Sequence, residues 1–513
     1  MLSGAIAKGK FTRNIIVPIE GNQGPYRLSS ANNEFYFVVL ANTERVFIDG
    51  QLMQRGEDQD YIINYNTAEV TFTPRRLITK DSRIQIEFEY ADRNFLNSQV
   101  YANDELNFKN KLLLTVGAFT NTDAKNTSIN QVLDIPQKQF LADIGDSINS
   151  AFYLNAVKDT FALGKILYRQ TDTLYNGNQQ ATIFVFTTDS LPDLYNLSFT
   201  YIGPGRGNYM PLFNATNGKV FNWVAPDING VKQGDWEPVI KLVTPKQQQM
   251  LSVGAEYLID NNTKVKIETA VSNYDINLFS GKDKSNDKAF AGKFQLQQDG
   301  KNIRLLNKNL QLQTNAGYEF VQDRFKPLER LRNVEFLRDW SLPFDIGSAD
   351  EHLANASIKI NDSAGNRLRF EVNTYNRSDS YNGIRQILDN FFDYHGWKIT
   401  SVFNRTAFNS TLQNGIFIRP SININKILSK YKNIQLGLSY NGEHNKLKDK
   451  LHDTLSNLSF AFNIWQVSLR SDESKSNKWG VYYFTRKDLL PIQSNLMRRI
   501  EVIIIIFYGI NEK

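Results

Sequence analysis

The stretch Leu251-Ser252-Val253-Gly254-Ala255-Glu256-Tyr257 alternates apolar and polar residues, and this alternation decides the fold. The same two-residue period returns in later segments up to Phe320, each about ten residues long. Because successive side chains of a strand point to opposite faces of a sheet, each segment predicts a strand with one apolar and one polar face. Strands of about ten residues are the length that a tilted transmembrane barrel needs.

The two faces of these predicted strands have different compositions. The apolar side chains are Leu251, Val253, Ala255, Tyr257, Ile259, Val265, Ile267, Val271, Phe290, Phe294, Leu296, Leu310, Leu312, Ala316, Tyr318 and Phe320. In a barrel these would meet lipid, and the polar side chains would line a wet lumen. The candidate lumen residues are Lys264, Lys266, Glu268, Lys293, Gln311, Gln313, Asn315, Glu319, Arg369 and Glu371.

The links between the predicted strands are of two kinds. Short links rich in turn residues are expected at 260–262, starting at 299–300, and at 362–365. Long polar links are expected at 274–287, 322–349 and 378–395. Outer-membrane barrels have short turns on one side and long loops on the other, so this pattern favours a barrel, although a sandwich can also mix loop lengths.

Composition excludes several classes of protein. The 513 residues are 41% hydrophobic and 12% aromatic, enough for a large core, while the negative mean hydropathy excludes a helical membrane protein. No window approaches the roughly 18 consecutive apolar residues of a membrane helix. The net charge of +6 is mild for this length, and no basic block interleaved with aromatic residues predicts nucleic-acid binding.

The N-terminal part of the chain has shorter strands and denser turn signals. Asp49-Gly50 lies between two apolar stretches, which predicts a hairpin, and 35–40 reads as an apolar strand covered on both faces. Ile84, Ile86, Phe88 and Tyr90 alternate with polar residues. Residues 21–95 are therefore expected to form a small immunoglobulin-like β-sandwich, acting as a plug or as a periplasmic module.

This region also carries a family resemblance. The strings concerned are 20–28 (EGNQGPYRL), 43–50 (TERVFIDG), 55–57 (RGE), 60–61 (DY), 64–66 (NYN), 72–74 (FTP) and 83–84 (RI), continuing through 198–209 and 335–340. The chain resembles the large, mostly uncharacterised outer-membrane β-barrel and cell-surface proteins of Bacteroidota. The resemblance implies a bacterial outer-membrane location and a chain longer at both ends; it implies no catalytic residues.

Catalytic and metal-binding motifs are weak. The chain has no cysteine, which excludes disulfides and thiolate sites, and its four histidines lack ligand spacing. Glu57, Asp58 and Asp60 form an acidic cluster that is a weak metal candidate, with a solvated turn as the alternative. We expect no cofactor and no enzymatic activity.

One helix is predicted between the sandwich and the clearest strands. Asp134 can cap it, Pro136 suits its first turn, and Gly145 marks its end. It is expected to be a short packing helix in a loop or plug, or equally a helix on a soluble core.

The predicted fold is an all-β, antiparallel transmembrane β-barrel, of which this chain is a fragment, with the sandwich inserted. The expected divisions are 1–20 as an early barrel strand, 21–95 as the sandwich, 96–250 as barrel strands with a short helix and loops, 251–500 as antiparallel barrel strands, and 501–513 as an atypical, truncated end. The expected function is a pore, an export or assembly channel, or a surface scaffold, with outer-membrane lipid and other envelope proteins as partners. The alternative is a soluble or surface-attached multi-sandwich protein that binds carbohydrate or a protein partner.

Overall fold

The computed structural model describes residues 2–5, 10–30, 37–79, 82–91, 95–128, 131–212, 220–305, 308–343, 346–431, 433–472, 477–490 and 499–509. It is almost entirely β-structure, with 60% of residues in strands and 4% in helices. The paired strands are antiparallel. The predicted all-β class is confirmed.

The chain begins in a large sheet and then leaves it to build a small domain. Strand β1 (Leu2–Ala5) belongs to the large sheet. The strands of the small domain are β2 (Lys10–Ile16), β3 (Tyr26–Arg27), β4 (Val38–Val39), β5 (Arg45–Ile48), β6 (Gln51–Leu52), β7 (Tyr61–Asn64), β8 (Glu69–Phe72) and β9 (Ile84–Ala91). One sheet contains β2, β9, β5, β6 and β4, and the other contains β3, β8 and β7.

A single apolar core joins the two sheets of the small domain. Val46 and Ile86 of the first sheet and Val70 of the second are fully buried in it. The predicted hairpin at Asp49-Gly50 is confirmed: β5 pairs with β6, and both turn residues have positive φ, as a tight hairpin turn requires.

The start of the chain differs from the expectation of one early barrel strand over 1–20. Leu2–Ala5 does pair with the large sheet, but Lys10–Ile16 pairs along its whole length with β9 of the small domain. This pairing gives β9 a neighbour on both sides, since β5 occupies its other edge. Residues 6–9, and residues 35 and 36 of the predicted apolar strand, lie outside the described residues.

After the small domain the chain returns to the large sheet with β10 (Phe95–Phe108) and β11 (Leu112–Ser128). The predicted helix follows as α1 (Ile135–Asp143), with Asp134 in a capping box and proline in its first turn. Asn277, from a later loop, fixes the end of α1 by donating to the carbonyls of Leu141 at 2.7 Å and Gly145 at 2.6 Å.

A second small β-unit follows the helix, where further barrel strands were expected. Its strands are β12 (Phe152–Leu154), β13 (Ala156–Asp159), β14 (Leu167–Tyr175), β15 (Gln179–Thr187), β16 (Leu194–Leu197), β17 (Thr200–Tyr201), β18 (Tyr209–Pro211), β19 (Phe221–Trp223), β20 (Trp236–Glu237) and β21 (Val239–Lys241). They form small sheets of their own; strands β13 to β20 surround a core containing Tyr168, Phe184 and Tyr209, whereas β12 and β21 pack against α1. Aromatic packing within the unit, such as that of Phe199 against Tyr209 and Phe221, stabilises these strands.

The rest of the chain builds the large sheet. Its elements are β22 (Gln247–Leu258), β23 (Thr263–Asp275), β24 (Lys288–Leu305), β25 (Lys308–Val321), α2 (Phe336–Asp339), β26 (Glu351–Asn361), β27 (Arg367–Arg377), β28 (Asn382–Tyr394), β29 (Trp397–Asn409), β30 (Gln413–Leu428), β31 (Ile434–Asp449), β32 (Thr454–Leu455), β33 (Phe460–Arg470), β34 (Asn477–Asp488) and β35 (Arg499–Gly509). The strand over Arg499–Gly509 pairs with β34, and 510–513 lie outside the described residues.

Seventeen strands make up the large sheet in the described part of the chain, in the order β1, β10, β11 and then β22 to β35. After β11, neighbours in the sheet are neighbours among its strands in sequence, as in an up-and-down meander. Within the described residues β1 pairs only with β10 and β35 only with β34, so closure of the sheet is not seen there.

The connections of the large sheet differ at its two ends. At one end, which we call the turn end, strands are joined by short links such as 109–111, 259–262 and 395–396. The other end, the loop end, carries the small domain, the second β-unit and the connections at 276–287 and 322–350.

Two of the predicted links are wrong. Asp299-Gly300 is a β-bulge inside β24, because Gln298 and Lys301 both pair with β25 while the two residues between them do not. The segment 378–395 is mostly strand β28, preceded by a short turn and followed by the tight turn His395-Gly396 with positive φ at both residues.

Candidate functional site

The strand register places all ten candidate lumen residues on one face of the large sheet, which we call the polar face. Glu268 lies opposite Lys293, and Lys293 lies opposite Glu319 on the next strand. The same parity continues through β26 to Arg369 and Glu371 on β27. Gln311 and Gln313 lie on this face near the turn end.

Several candidate residues are drawn into ion pairs on the polar face. Lys266 approaches Glu256 at 2.5 Å and Lys264 approaches it at 3.7 Å, so one carboxylate forms ion pairs with two lysines. Arg369 pairs with Glu371 along β27. Glu256 was not among the predicted residues, although the alternation from Leu251 to Tyr257 places it on the same face.

The opposite face of the large sheet, which we call the apolar face, is exposed. Leu251, Val253 and Tyr257 have 52%, 47% and 48% of their surface accessible. Further exposed members of this face are Ile267, Phe294, Ile358, Leu368, Phe370, Leu388, Ile416, Ile422, Leu436 and Val467. A water-soluble sandwich buries the apolar face of each sheet and exposes the polar one, so this sheet has the reverse arrangement.

Aromatic and polar side chains border the apolar face at both ends. At the turn end, Trp397 is exposed and the ammonium of Lys426 lies 4.8 Å from its ring centroid. At the loop end, the hydroxyl of Tyr318 lies 2.7 Å from His352 Nδ1. Arg405 donates to Gln386 at 3.3 Å near the same end. Such borders are typical of surfaces that meet a membrane–water interface.

Residues 322–343, which we call the strap, extend from the end of β25 along the polar face. Arg332 pairs with Glu351 at 2.6 Å and also with Glu319, a predicted lumen residue. Arg338 reaches Glu443 on β31. The strap therefore contacts strands from β25 to β31 and covers the loop end of the polar face.

Asp339, at the end of the short helix α2, is the most buried charge of the strap. Its carboxylate accepts from Arg385 at 2.6 Å and from Arg419, and its side chain and main chain together are 6% exposed. Thr406 donates to the main-chain carbonyl of Asp339 at 2.7 Å. Three neighbouring strands, β28, β29 and β30, thus hold this single residue.

An aromatic cluster anchors the strap beside these ion pairs. Trp340 is 2% exposed and packs against Tyr375 with ring centroids 5.3 Å apart. The Tyr381 hydroxyl donates to the Trp340 carbonyl, and Tyr381 stacks on Phe408. Apolar packing and charge therefore both attach the strap to the polar face.

The other side of the strap binds the small domain. Arg330 donates to the buried Glu87 of β9 at 2.7 Å and lies over the ring of Phe47. Arg83 approaches Glu335 at 3.4 Å. Burial lowers the pKa of Arg13 next to this contact; Glu87 opposes that shift and the like charge of Arg330 adds to it.

The predicted acidic cluster of the small domain is used by the turn itself. Asp60 accepts from the main-chain N–H of Gln54 at 2.9 Å, and the main-chain carbonyl of Asp58 accepts from Arg75 at 2.7 Å. Across the part of the chain that the structure describes, no group of three or more His, Cys, Asp or Glu residues is arranged to hold a metal ion. Among the same residues, no helix is long and apolar enough to cross a membrane.

The strap and its ion pairs were not predicted from the sequence. Arg338 and Glu443 are 105 positions apart, and no local pattern links them. The available signal was charge density: nine of the seventeen residues from 323 to 339 are Asp, Glu, Lys or Arg. Such a segment between two strands with polar faces could have been read as a partner for those faces.

Comparison with protein-family models gives a match over the small domain. Residues 11–92 match the model of a domain of unknown function, DUF8818. No curated protein matches the chain. The matched range nearly coincides with the small domain, from the start of β2 to the end of β9, so this unit of two sheets is similar to a recurring domain whose description assigns no activity.

Proposed function

We propose that the large sheet forms the wall of a bacterial outer-membrane β-barrel. This barrel acts as a pore, an export or assembly channel, or a surface scaffold, and not as a catalyst. The exposed apolar face carries this proposal. Leaving so many apolar side chains in water would cost about 25 cal/mol for each Å² that lipid could cover. A face of this size on a soluble protein would promote aggregation.

The dimensions of the apolar face suit a bilayer. On β29, Trp397 and Arg405 lie at the two borders and are eight residue steps apart, which corresponds to about 27 Å along the strand. With the tilt of transmembrane strands, this becomes about 20 Å along the membrane normal, near the height of the apolar band of outer-membrane barrels.

The loop end favours one of the two roles considered for the small domain. Outer-membrane barrels have their long connections on the outside of the cell. By that rule the small domain, which enters the sheet at the loop end, is a plug at the outer mouth and not a periplasmic module. Its attachment to the strap, which crosses the polar face, supports the same role.

The alternative is a soluble or surface-attached protein with several β-sandwiches that binds carbohydrate or a protein partner. Two small β-units, at 10–91 and 152–241, favour it, because each has an aromatic-rich core of its own. It leaves the exposed apolar face without a partner, however, and for this reason we rank it second.

Accessibility of single cysteines would test the barrel. The chain has no cysteine, so Val253→Cys and Ser252→Cys each introduce one labelling site, on opposite faces of β22. With nitroxide labels in phospholipid vesicles, the label at 253 should be more accessible to oxygen and the label at 252 to a water-soluble nickel chelate. Ile62→Cys, an exposed apolar position of the small domain, is the control and should be accessible to the chelate.

Equal chelate accessibility at 252 and 253 would contradict the barrel and favour the sandwich alternative. Migration of the detergent-extracted chain that changes on boiling, with location in the outer-membrane fraction, is the second expected result. Both measurements are independent of the identity of any cargo.

A further inference from the structure

We propose that the strap, residues 322–343, is an ionic latch that holds the small domain over the polar face and releases it when its ion pairs exchange partners. This inference rests on the proposed barrel, because it names how the lumen of that barrel is closed. The latch itself is defined by contacts that do not depend on a membrane.

The charges of the strap are opposite in sign to the charges of the wall that they meet along its length. The strap supplies two cations to wall carboxylates and one anion to wall guanidiniums. The pairs are Arg332 with Glu319 and Glu351, Arg338 with Glu443, and Asp339 with Arg385 and Arg419. Arg338 and Asp339 are adjacent, so a shift of the strap by one residue would bring like charges together, and the pattern therefore fixes one docking position.

The strap holds the small domain with residues next to those that hold the wall. Arg330 binds Glu87 and lies close in sequence to Arg332. Glu335 pairs with Arg83 of the small domain, and it also pairs with Arg338 of the strap at 2.7 Å. Since these contacts share one short segment, release of the segment from the wall also removes the support of the small domain.

The wall can compensate its own charges once the strap leaves. Ile418 pairs with His444 across β30 and β31, which places Arg419 and Glu443 opposite each other on the polar face. In the docked state these two residues bind Asp339 and Arg338 respectively. When that pair of strap residues departs, Arg419 and Glu443 are within reach of each other, as directly cross-strand side chains are.

Partner exchange of this kind gives two states of similar electrostatic cost. Arg385 also has an acidic neighbour on the wall, since Glu371 lies on the same face of β27, two residues from the position that pairs with Arg385. A buried pair that loses one member is strongly destabilised, whereas a pair that exchanges partners is not. The strap is thus a bistable element of the sort that switches use.

Hydrogen exchange of the full chain in detergent micelles tests the latch. The amides of Trp340 and Leu342 donate within the strap to Phe336 and Leu337, so their exchange rates report its opening. Arg338→Glu places two acids together, and we expect exchange of these amides to become at least tenfold faster. Adding Glu443→Arg restores an ion pair of reversed polarity and should return exchange to near the parent rate.

Arg367→Ala is the matched control. It removes an arginine–aspartate pair from the same face, but that pair joins β27 to β28 and lies outside the strap. Exchange of the strap amides should remain at the parent rate. Unchanged exchange in Arg338→Glu would overturn the proposal, and so would failure of the double variant to reverse the effect, since that outcome indicates general loss of structure.

Movement of the small domain is the second readout. One nitroxide label is attached at Ile62→Cys in the small domain and a second at Asn261→Cys at the turn end of the large sheet. The distance between the two labels is measured. Its distribution should broaden in Arg338→Glu and narrow again in the double variant; an unchanged distribution would overturn the coupling. Neither readout needs a bilayer, so failure of the barrel appears instead in the 252 and 253 accessibility test.

Discussion

Asp339 and Arg385 are 46 positions apart in the sequence, yet the Arg385 guanidinium donates to the Asp339 carboxylate at 2.6 Å. Arg419 binds the other carboxylate oxygen, from two strands further along the sheet. One buried anion therefore attaches the strap to two cations of the large sheet. While the strap is docked, Arg338 occupies Glu443, so both guanidiniums rely on the Asp339 carboxylate as their ion-pair partner.

Removal of the Asp339 carboxylate should destabilise the chain. Asp339→Ala leaves two largely buried guanidiniums without their anion, which should cost about 3 kcal/mol of unfolding free energy. Asp339→Asn retains an acceptor and should cost less. Urea unfolding followed by tryptophan fluorescence measures both, with the adjacent Trp340 as a local reporter. Asp323→Ala, which removes an exposed ion pair with Arg324, is the control and should change stability by less than about 0.5 kcal/mol. Equal effects at 339 and 323 would contradict the account.

A second buried carboxylate holds the small domain together. Glu44 accepts from Arg55 at 2.9 Å and from the Tyr65 hydroxyl at 3.0 Å. Burial, and next the charge of Glu44, raise the pKa of Tyr61. Arg55→Ala leaves the buried Glu44 charge without its cation and should cost about 2 kcal/mol of unfolding free energy.

The control for this prediction is Arg75→Ala. Arg75 also makes one hydrogen bond in the small domain, but to the exposed carbonyl of Asp58. Thermal unfolding of the full chain should shift clearly for Arg55→Ala and little for Arg75→Ala. A similar shift of the unfolding temperature for both variants would show that the Glu44 cluster contributes no more to stability than an exposed hydrogen bond.

The long strands were predictable because their signal is local. Alternation from Leu251 to Tyr257 fixes which side chains share a face, and the register then carries that face across the sheet. Asp134 and Pro136 likewise fix the start of α1 through capping of its first turn. In each case the cause lies within a few residues of the effect.

The second β-unit and the strap were missed because their causes are not local. Strands such as Tyr209–Pro211 are too short for a periodic pattern, and long-range aromatic packing stabilises them. The strap is defined by pairs such as Arg338 with Glu443, which only the folded sheet brings together. The wrong prediction of a link at Asp299-Gly300 has another cause: a β-bulge and a hairpin turn use the same residue types.

The bulge in β24 leads to a test of its own. Gly300 has φ of 66°, a left-handed conformation that costs a side chain about 1 kcal/mol. Asp299 is fixed there by hydrogen bonds of its main-chain N–H and carbonyl to Asn262, both at 2.6 Å. Gly300→Ala should therefore lower the unfolding free energy by about 1 kcal/mol. Gly281→Ala is the control, because its Cβ would meet no atom within 4 Å and its φ is ordinary. Equal stability of the two variants would contradict the strained bulge.

Asp146, at the loop end beside α1, should make stability depend on pH with an unusual sign. Burial raises the pKa of its carboxyl group, and the negative charge of Asp283 raises it further. Between the unfolded and the raised folded pKa, the folded state binds more protons than the unfolded state, so stability falls as pH rises through the folded value. Below the unfolded value, near 4, the penalty is absent.

Asp146→Asn removes the half-buried charge, so it should be more stable than the parent at pH 7 and equal to it below about pH 4. Asp260→Asn provides the opposite sign. The N–H of Asn262 lowers the pKa of Asp260, which therefore stabilises the folded chain above the unfolded pKa. Loss of the Asp260 carboxylate should make the variant less stable than the parent at pH 7. This difference in stability should disappear as pH falls through the pKa of Asp260 in the folded chain. Urea unfolding at pH 3.5, 5 and 7 measures both variants, and a parallel response of the two would contradict the assignment of Asp146 as a half-buried, destabilising anion.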